Sequence, residues 1–181
     1  MSELSSAPVP PPGPDDHVRG DDGALLIEYA DYECPFCAAL QAPLADLGVR
    51  LVFRHFPVRS SHPRAWAAAA AAEAAGAQGA FWPMHDLLLA DQARLADPHL
   101  WQRARTLGLD LERFDADRRS VATSERITRD FRAGIRAGVV STPTVFAWTS
   151  GAAHRVDRDD LESELARVGV RPAAPPRGLG A

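Results

Sequence analysis

The stretch ALLIEYADYECPFCAALQAPLADL, residues 24–47, sets an apolar run directly ahead of two cysteines and a proline-led helix. ALLIEYA (24–30) suits a buried strand. PFCAALQAPLADL (35–47) opens with proline at the first helical position, where the missing amide hydrogen costs nothing, and Pro43 is expected to kink it. Cys34 then takes the cap of that helix. Orphan amide hydrogens and the positive end of the helix dipole meet there, so a thiolate is favoured and the thiol should be acidic. Cys37 follows by one turn on the same face, near enough to close a disulfide. Cys34 is placed to attack, and Cys37 to resolve the mixed disulfide that results.

Working outward, VRLVFRHF (49–56) reads as a second strand. A helix joins it to the first, so the two run parallel with a right-handed crossover. Open α/β sheets react at the C-terminal ends of such strands, where Cys34 lies beyond the first end and His55 at the second. His55 is a possible tuner of Cys34. Glu28, inside LLIEYA, is costly to bury as a carboxylate; burial would raise its pKa and make it a proton carrier for Cys37.

Further along, Pro63 starts an alanine-rich helix, Pro83 starts PMHDLLLADQ, and Asp97-Pro98 caps and starts PHLWQRARTL. Asp110 begins LERFDADRR, and residues 120–137 carry Val121, Ile127, Phe131 and Ile135. TVFAW and AHRV form a hairpin around Ser150-Gly151, followed by a helix at 160–168 capped by Asp159. Phe81, Met84 and Leu88 form a helical stripe that belongs in the core, with His85 packed or hydrogen-bonded beside it. The fold class is therefore α/β with an inserted α-helical domain. Residues 23–58 and 139–169 form the α/β unit and 59–138 the helical insertion. Residues 1–22, rich in proline and aspartate, and 170–181 form loose tails.

Composition narrows the chemistry. The net charge of −4 gives no basic field for nucleic acid. Arg126, Arg129, Arg132 and Arg136 fall on one helix face, interrupted by Asp130, and read as a solvated surface. All 20 basic residues are arginine, so no Schiff-base or phosphate-loop lysine exists. No apolar run is long enough to span a membrane. The N-terminus lacks a basic stretch followed by an apolar core, so the sequence as written reads as cytoplasmic; an upstream start would make it an exported protein.

In the cytosol a C-x-x-C is more often catalytic or metal-binding than a structural staple. Zinc needs about four ligands, the cysteines offer two, and no histidine pair has zinc-motif spacing, so no metal is expected. A structural disulfide closing so short a loop constrains little of the unfolded chain. VVSTPTVFAW (139–148) supplies a third element. Pro143 precedes a β-run and cannot donate to a ladder, and its bond to Thr142 is one of the few that can be cis.

In order, EYADYECPFC, RHFP, HPRAWAAAAAAEAAGAQGAFWPMHDLLLADQ and STPTVF resemble the DsbA-like group of the thioredoxin superfamily, including the thioredoxin-like domains fused to some sodium/proton antiporters. The resemblance covers about residues 16–168. It implies a thioredoxin fold with a helical insertion and a redox-active centre without cofactor. By that likeness Cys34 attacks, Cys37 resolves, Glu28 is the buried acid, and Pro143 is the cis-proline facing the disulfide. Thr142 would then pair with an extended substrate segment. Pro35 and Phe36, between the cysteines, complete the substrate-positioning set.

The dipeptide carries no histidine to stabilise the thiolate, which moves the couple toward the reducing end of a range spanning about 150 mV. The expected activity is thiol–disulfide oxidoreduction, as reductase or thiol exchanger rather than strong oxidase. Its partners are protein or small-molecule thiols and disulfides and a thiol electron donor. Two alternatives stand beside it. One is a non-catalytic redox-sensing or binding module for a partner protein. The other is a glutathione-dependent kappa-class-like isomerase or transferase, against which Cys37 argues because those enzymes use serine.

Overall fold

A computed structural model describes residues 7–21 and 23–167. The expected tail at 170–181 lies outside the described residues. Among the described residues five strands form one mixed sheet: β1 (His17–Arg19), β2 (Leu25–Ala30), β3 (Arg50–His55), β4 (Thr144–Thr149) and β5 (Ala152–Val156). Their order across the sheet is β1-β3-β2-β4-β5. β2 and β3 are parallel with Glu28 opposite Phe53, and β4 returns antiparallel against β2. Helix α1 (Pro35–Asp46) makes the crossover and buries Cys37, Leu40 and Leu44 on one stripe. It continues through Pro43. The fold is thus of the α/β thioredoxin type.

Between β3 and β4 run α2 (Ala65–Gly76), α3 (Phe81–Ala90), α4 (Asp97–Thr106), α5 (Leu111–Arg118) and α6 (Val121–Arg136); α7 (Leu161–Arg167) closes the described chain. Alternation in β2 assigns the two faces of the sheet. Leu26 points toward Leu40, Leu44, Leu161 and Leu165, while Ile27 and Tyr29 point toward Phe56, Ala137 and Phe146. α6 lies close on this second face. A Cβ at Gly134 would stand 2.8 Å from the Phe56 ring and 3.0 Å from Tyr29, so only glycine permits the approach. In α2 eight alanines are buried, and their small side chains let α3, α5 and α6 crowd around it.

Residues 7–19 correct the expectation of a loose N-terminal tail over 1–22. β1 pairs antiparallel with β3, and Ala7 N–H donates to the Arg136 carbonyl at 2.7 Å. Arg54, buried in β3, anchors this strap: it donates to the Pro10 and Pro11 carbonyls and pairs with Asp16 at 2.9 Å. A buried guanidinium needs acceptors for its several donors, and a proline-rich strap supplies them as free carbonyls.

Other local expectations shift for similar reasons. α3 starts at Phe81 rather than Pro83, which sits within the first turn, where an amide hydrogen has no intrahelical partner to lose. Asp97 is the first residue of α4 rather than its cap. The Asp157 side chain, not that of Asp159, accepts the capping hydrogen bond before α7, from Asp159 N–H. Ile127 is buried as expected, but Val121 and Ile135 are exposed, and α6 also buries Thr123, Asp130 and Ala133. Arg126 is no solvated residue. It bonds Asp130 at 3.1 Å and lies 3.7 Å from Asp16, so the strap and α6 enclose it.

Candidate active site

The two sulfurs stand at the C-terminal edge of β2. Cys34 is the cap of α1, with extended backbone, and retains 4% exposure; Cys37 has none. Asp31 builds the turn that delivers them. One of its carboxyl oxygens accepts from Glu33 N–H at 2.8 Å, and the other from Val58 N–H at 2.7 Å and His62 at 2.8 Å. Its own N–H donates to the Cys37 sulfur at 3.4 Å. From the helical block, Gln92 donates to the carbonyls of Tyr32 and Cys34 at 2.9 and 2.8 Å. Neither Asp31 nor Gln92 stood out in the sequence. An aspartate at a strand end ahead of the cysteines is a turn-forming signal that could have marked the first. Gln92 is recognisable only once the insertion is folded over the site.

Across from the cysteines, the Thr142–Pro143 peptide bond is cis. The Cys34 Sγ–H donates to the Thr142 carbonyl at 3.3 Å. That carbonyl is where the thiol form finds its acceptor, while the thiolate draws on donors. The Cys37 thiol contributes most, burial opposes it, and the Thr142 side chain and the Cys37 and Phe36 amides help; together they bring the Cys34 pKa down to about 5. Cys37 moves the other way. Burial, the bond to Cys34 and the nearby Glu28 charge push its thiol far above the ordinary range. The surroundings thus favour the thiolate at Cys34 and the protonated thiol at Cys37.

Glu28 is fully buried behind Cys37, and neither oxygen has a hydrogen-bond partner of good geometry among the described residues. Burial lifts its pKa to about 8, with the Gln41 side chain pulling back in part and the Cys34 charge adding to the rise. Gln41 is committed elsewhere: it donates to the Cys37 carbonyl at 3.1 Å and its oxygen meets His85 at 3.2 Å. His85 also meets the Tyr32 hydroxyl at 3.1 Å, and burial drives its pKa well down, so it stays neutral. Pro35 starts α1, and Phe36 stands 59% exposed beside Cys34.

His55 is turned elsewhere. Its Nε2 bonds Glu73 at 2.7 Å, and His17 bonds the same oxygen at the same distance. These three residues bring their donor atoms within 4.8 Å of one another. Both contacts are of hydrogen-bond length, and the Arg126 guanidinium, 4.0 Å from the shared oxygen, supplies positive charge to the cluster. The arrangement is that of a staple holding β1, β3 and α2.

Comparison with known proteins agrees with this geometry. A family model described as thioredoxin matches residues 13–165. A stretch of the Na(+)/H(+) antiporter NhaA 3 of Salinispora tropica is 47% identical over 147 residues, covering 75% of this chain and 22% of the antiporter. The antiporter NhaA of Herminiimonas arsenicoxydans is 42% identical over 154 residues, covering 80% of this chain and 24% of that protein. The chain therefore spans about a quarter or less of the length of these relatives. A thioredoxin-like oxidoreductase from Silicibacter pomeroyi superposes with a TM-score of 0.74 at 26% identity, covering 87% of this chain and 94% of that one. DsbA2 of Pseudomonas aeruginosa gives 0.70 at 24%, covering 87% and 97%.

Proposed function

The chain belongs to the thioredoxin family, and we infer that it is a DsbA-like thiol–disulfide oxidoreductase acting through Cys34 and Cys37. The observation that carries this reading is the placement of the two sulfurs: Cys34 caps α1 and meets the Thr142 carbonyl of the cis Thr142–Pro143 bond, while Cys37 is fully buried one turn on. The Cys34 thiolate attacks one sulfur of a substrate disulfide, forming a mixed disulfide and releasing the other half as a thiolate. The carboxylate of Glu28 takes the proton of Cys37, whose sulfur then attacks Cys34 and expels the second half. The substrate gains two electrons and, from the surroundings, two protons. The enzyme keeps the disulfide until a thiol donor reduces it. With a pKa near 8, Glu28 populates both protonation states near neutrality, as a proton carrier must. Thr142, Pro143, Pro35 and Phe36 position the substrate, with the Thr142 backbone offered to an extended segment.

The Cys34 acidity falls between about 7 for thioredoxin and about 3.5 for DsbA. This supports an exchanger of intermediate potential, largely reduced where glutathione is reducing and so acting there as a reductase. Among the described residues no helix is long and apolar enough to cross a membrane. A cytoplasmic setting is part of the proposal. The antiporter relatives favour a second reading, a redox-sensing module that reports to a transporter. Turnover separates the two. With dithiothreitol as donor the protein is expected to reduce insulin, and Cys34→Ser to abolish that activity. Stoichiometric oxidation of the pair without turnover would replace the enzyme reading by the sensor.

A further inference from the structure

Arg158 stands at the mouth of the cysteine site, and nothing in the thiol chemistry uses it. Its guanidinium carbon lies 4.7 Å from the centre of the Phe36 ring, which is 59% exposed between the cysteines. Its Nη1 reaches the Thr142 carbonyl at 3.5 Å, the oxygen that Cys34 meets at 3.3 Å. One side chain therefore touches both segments between which a substrate disulfide must enter. The adjoining cleft, of about 490 Å³, is lined by Pro143, Arg155, Asp157, Arg158 and Asp159 among others. Its two acids leave the guanidinium face open. Asp157 is spent accepting from Asp159 N–H at 3.0 Å, and Asp159, itself 81% exposed, meets Arg158 only through Nε at 3.3 Å.

We propose that Arg158 is a carboxylate-binding residue of the substrate site, selecting disulfides with an acidic side chain next to the attacked half-cystine. The proposal rests on the oxidoreductase reading. Packing over Phe36 holds the planar fork in place, and a guanidinium presents paired donors that match a carboxylate. The long bond to Thr142 is weak and easily exchanged for an incoming partner. Because the side chain is 30% exposed, the gain is that of a partly solvated ion pair, about two- to fivefold in specificity.

The test uses the full chain, dithiothreitol, and two disulfide-linked peptides of equal length, one with aspartate and one with asparagine beside the half-cystine. The ratio of their kcat/KM values is expected to be about three at low salt and to fall toward one at high salt. Arg158→Met should bring it to one at any salt, whereas Arg158→Lys, which keeps the charge and loses the fork, should retain part of it. A loosened loop would lower both rates and leave the ratio standing, so a ratio that survives Arg158→Met overturns the proposal. A ratio of one in the wild-type protein, with both peptides reduced, overturns it alone. Failure to reduce either peptide removes the oxidoreductase reading and this proposal with it.

Discussion

Among the described residues two glutamates, Glu28 and Glu73, lie enclosed, and their surroundings send them in opposite directions. Glu28, beneath the cysteines, is fully buried with no well-formed hydrogen bond among the described residues, and its pKa rises to about 8. Glu73, beneath the N-terminal strap, is nearly as enclosed; burial alone would raise it too, yet the bonds from His17 and His55 hold it well below the usual carboxylate range. The residue type and the burial are similar, and the partners differ. An acid surrounded by donors is a staple, fixed in one protonation state. An acid left without them is poised to exchange its proton.

The comparison breaks first at Glu73. Removing the charge from one side of a buried, hydrogen-bonded cluster leaves its partners uncompensated. Glu73→Gln is expected to lower unfolding free energy by about 3 kcal/mol in urea titrations at pH 7. A loss below about 1 kcal/mol would show that the cluster is not a staple.

Glu28→Gln should have the opposite sign. With a folded pKa near 8 against 4.5 for the free group, Glu28 binds its proton more tightly in the folded state. Folding stability then falls as pH rises from about 4.5 to about 8. Removing that penalty should stabilise the protein by about 2 kcal/mol at pH 7, after allowing for burial of the amide. The same substitution should slow resolution of a mixed disulfide by about a hundredfold, seen by stopped-flow release of the second thiol. The Cys34 thiolate masks part of the pH slope. Its folded pKa is depressed, so its contribution is present above the unfolded pKa near 9 and lost as pH falls toward 5. Measured in Cys34→Ser, the decline between pH 5 and 8 should be steeper and should vanish when Glu28→Gln is added. A decline that persists in the double variant would assign it to another group.

How much of this was legible in the sequence follows the same division. The cysteine edge was readable because its signals are local: an apolar strand, a proline at the helix start, and an acid within the apolar run. The expectation that Cys34 caps α1 and the parallel pairing of β2 with β3 both match the structure. The strap was not readable. His17–Arg19 is three residues of mixed polarity, and what orders it lies far along the chain: Arg54 for Asp16, Glu73 for His17. Read alone, residues 1–22 have too little apolar surface to fold. Arg126 was misread for the same reason, since its helix periodicity says nothing about Asp16 arriving from the strap. Cooperative charge networks are visible in a sequence only when their members are neighbours along the chain.

The acidity of Cys34 can be measured directly by following alkylation of the reduced protein with iodoacetamide from pH 4 to pH 10, with the modified sulfur located by mass spectrometry. A midpoint near pH 5, with Cys37 unmodified throughout, is the expected result. A midpoint at or above about 8, that of a thiol in water, would contradict the cap-stabilised thiolate on which the proposed chemistry rests.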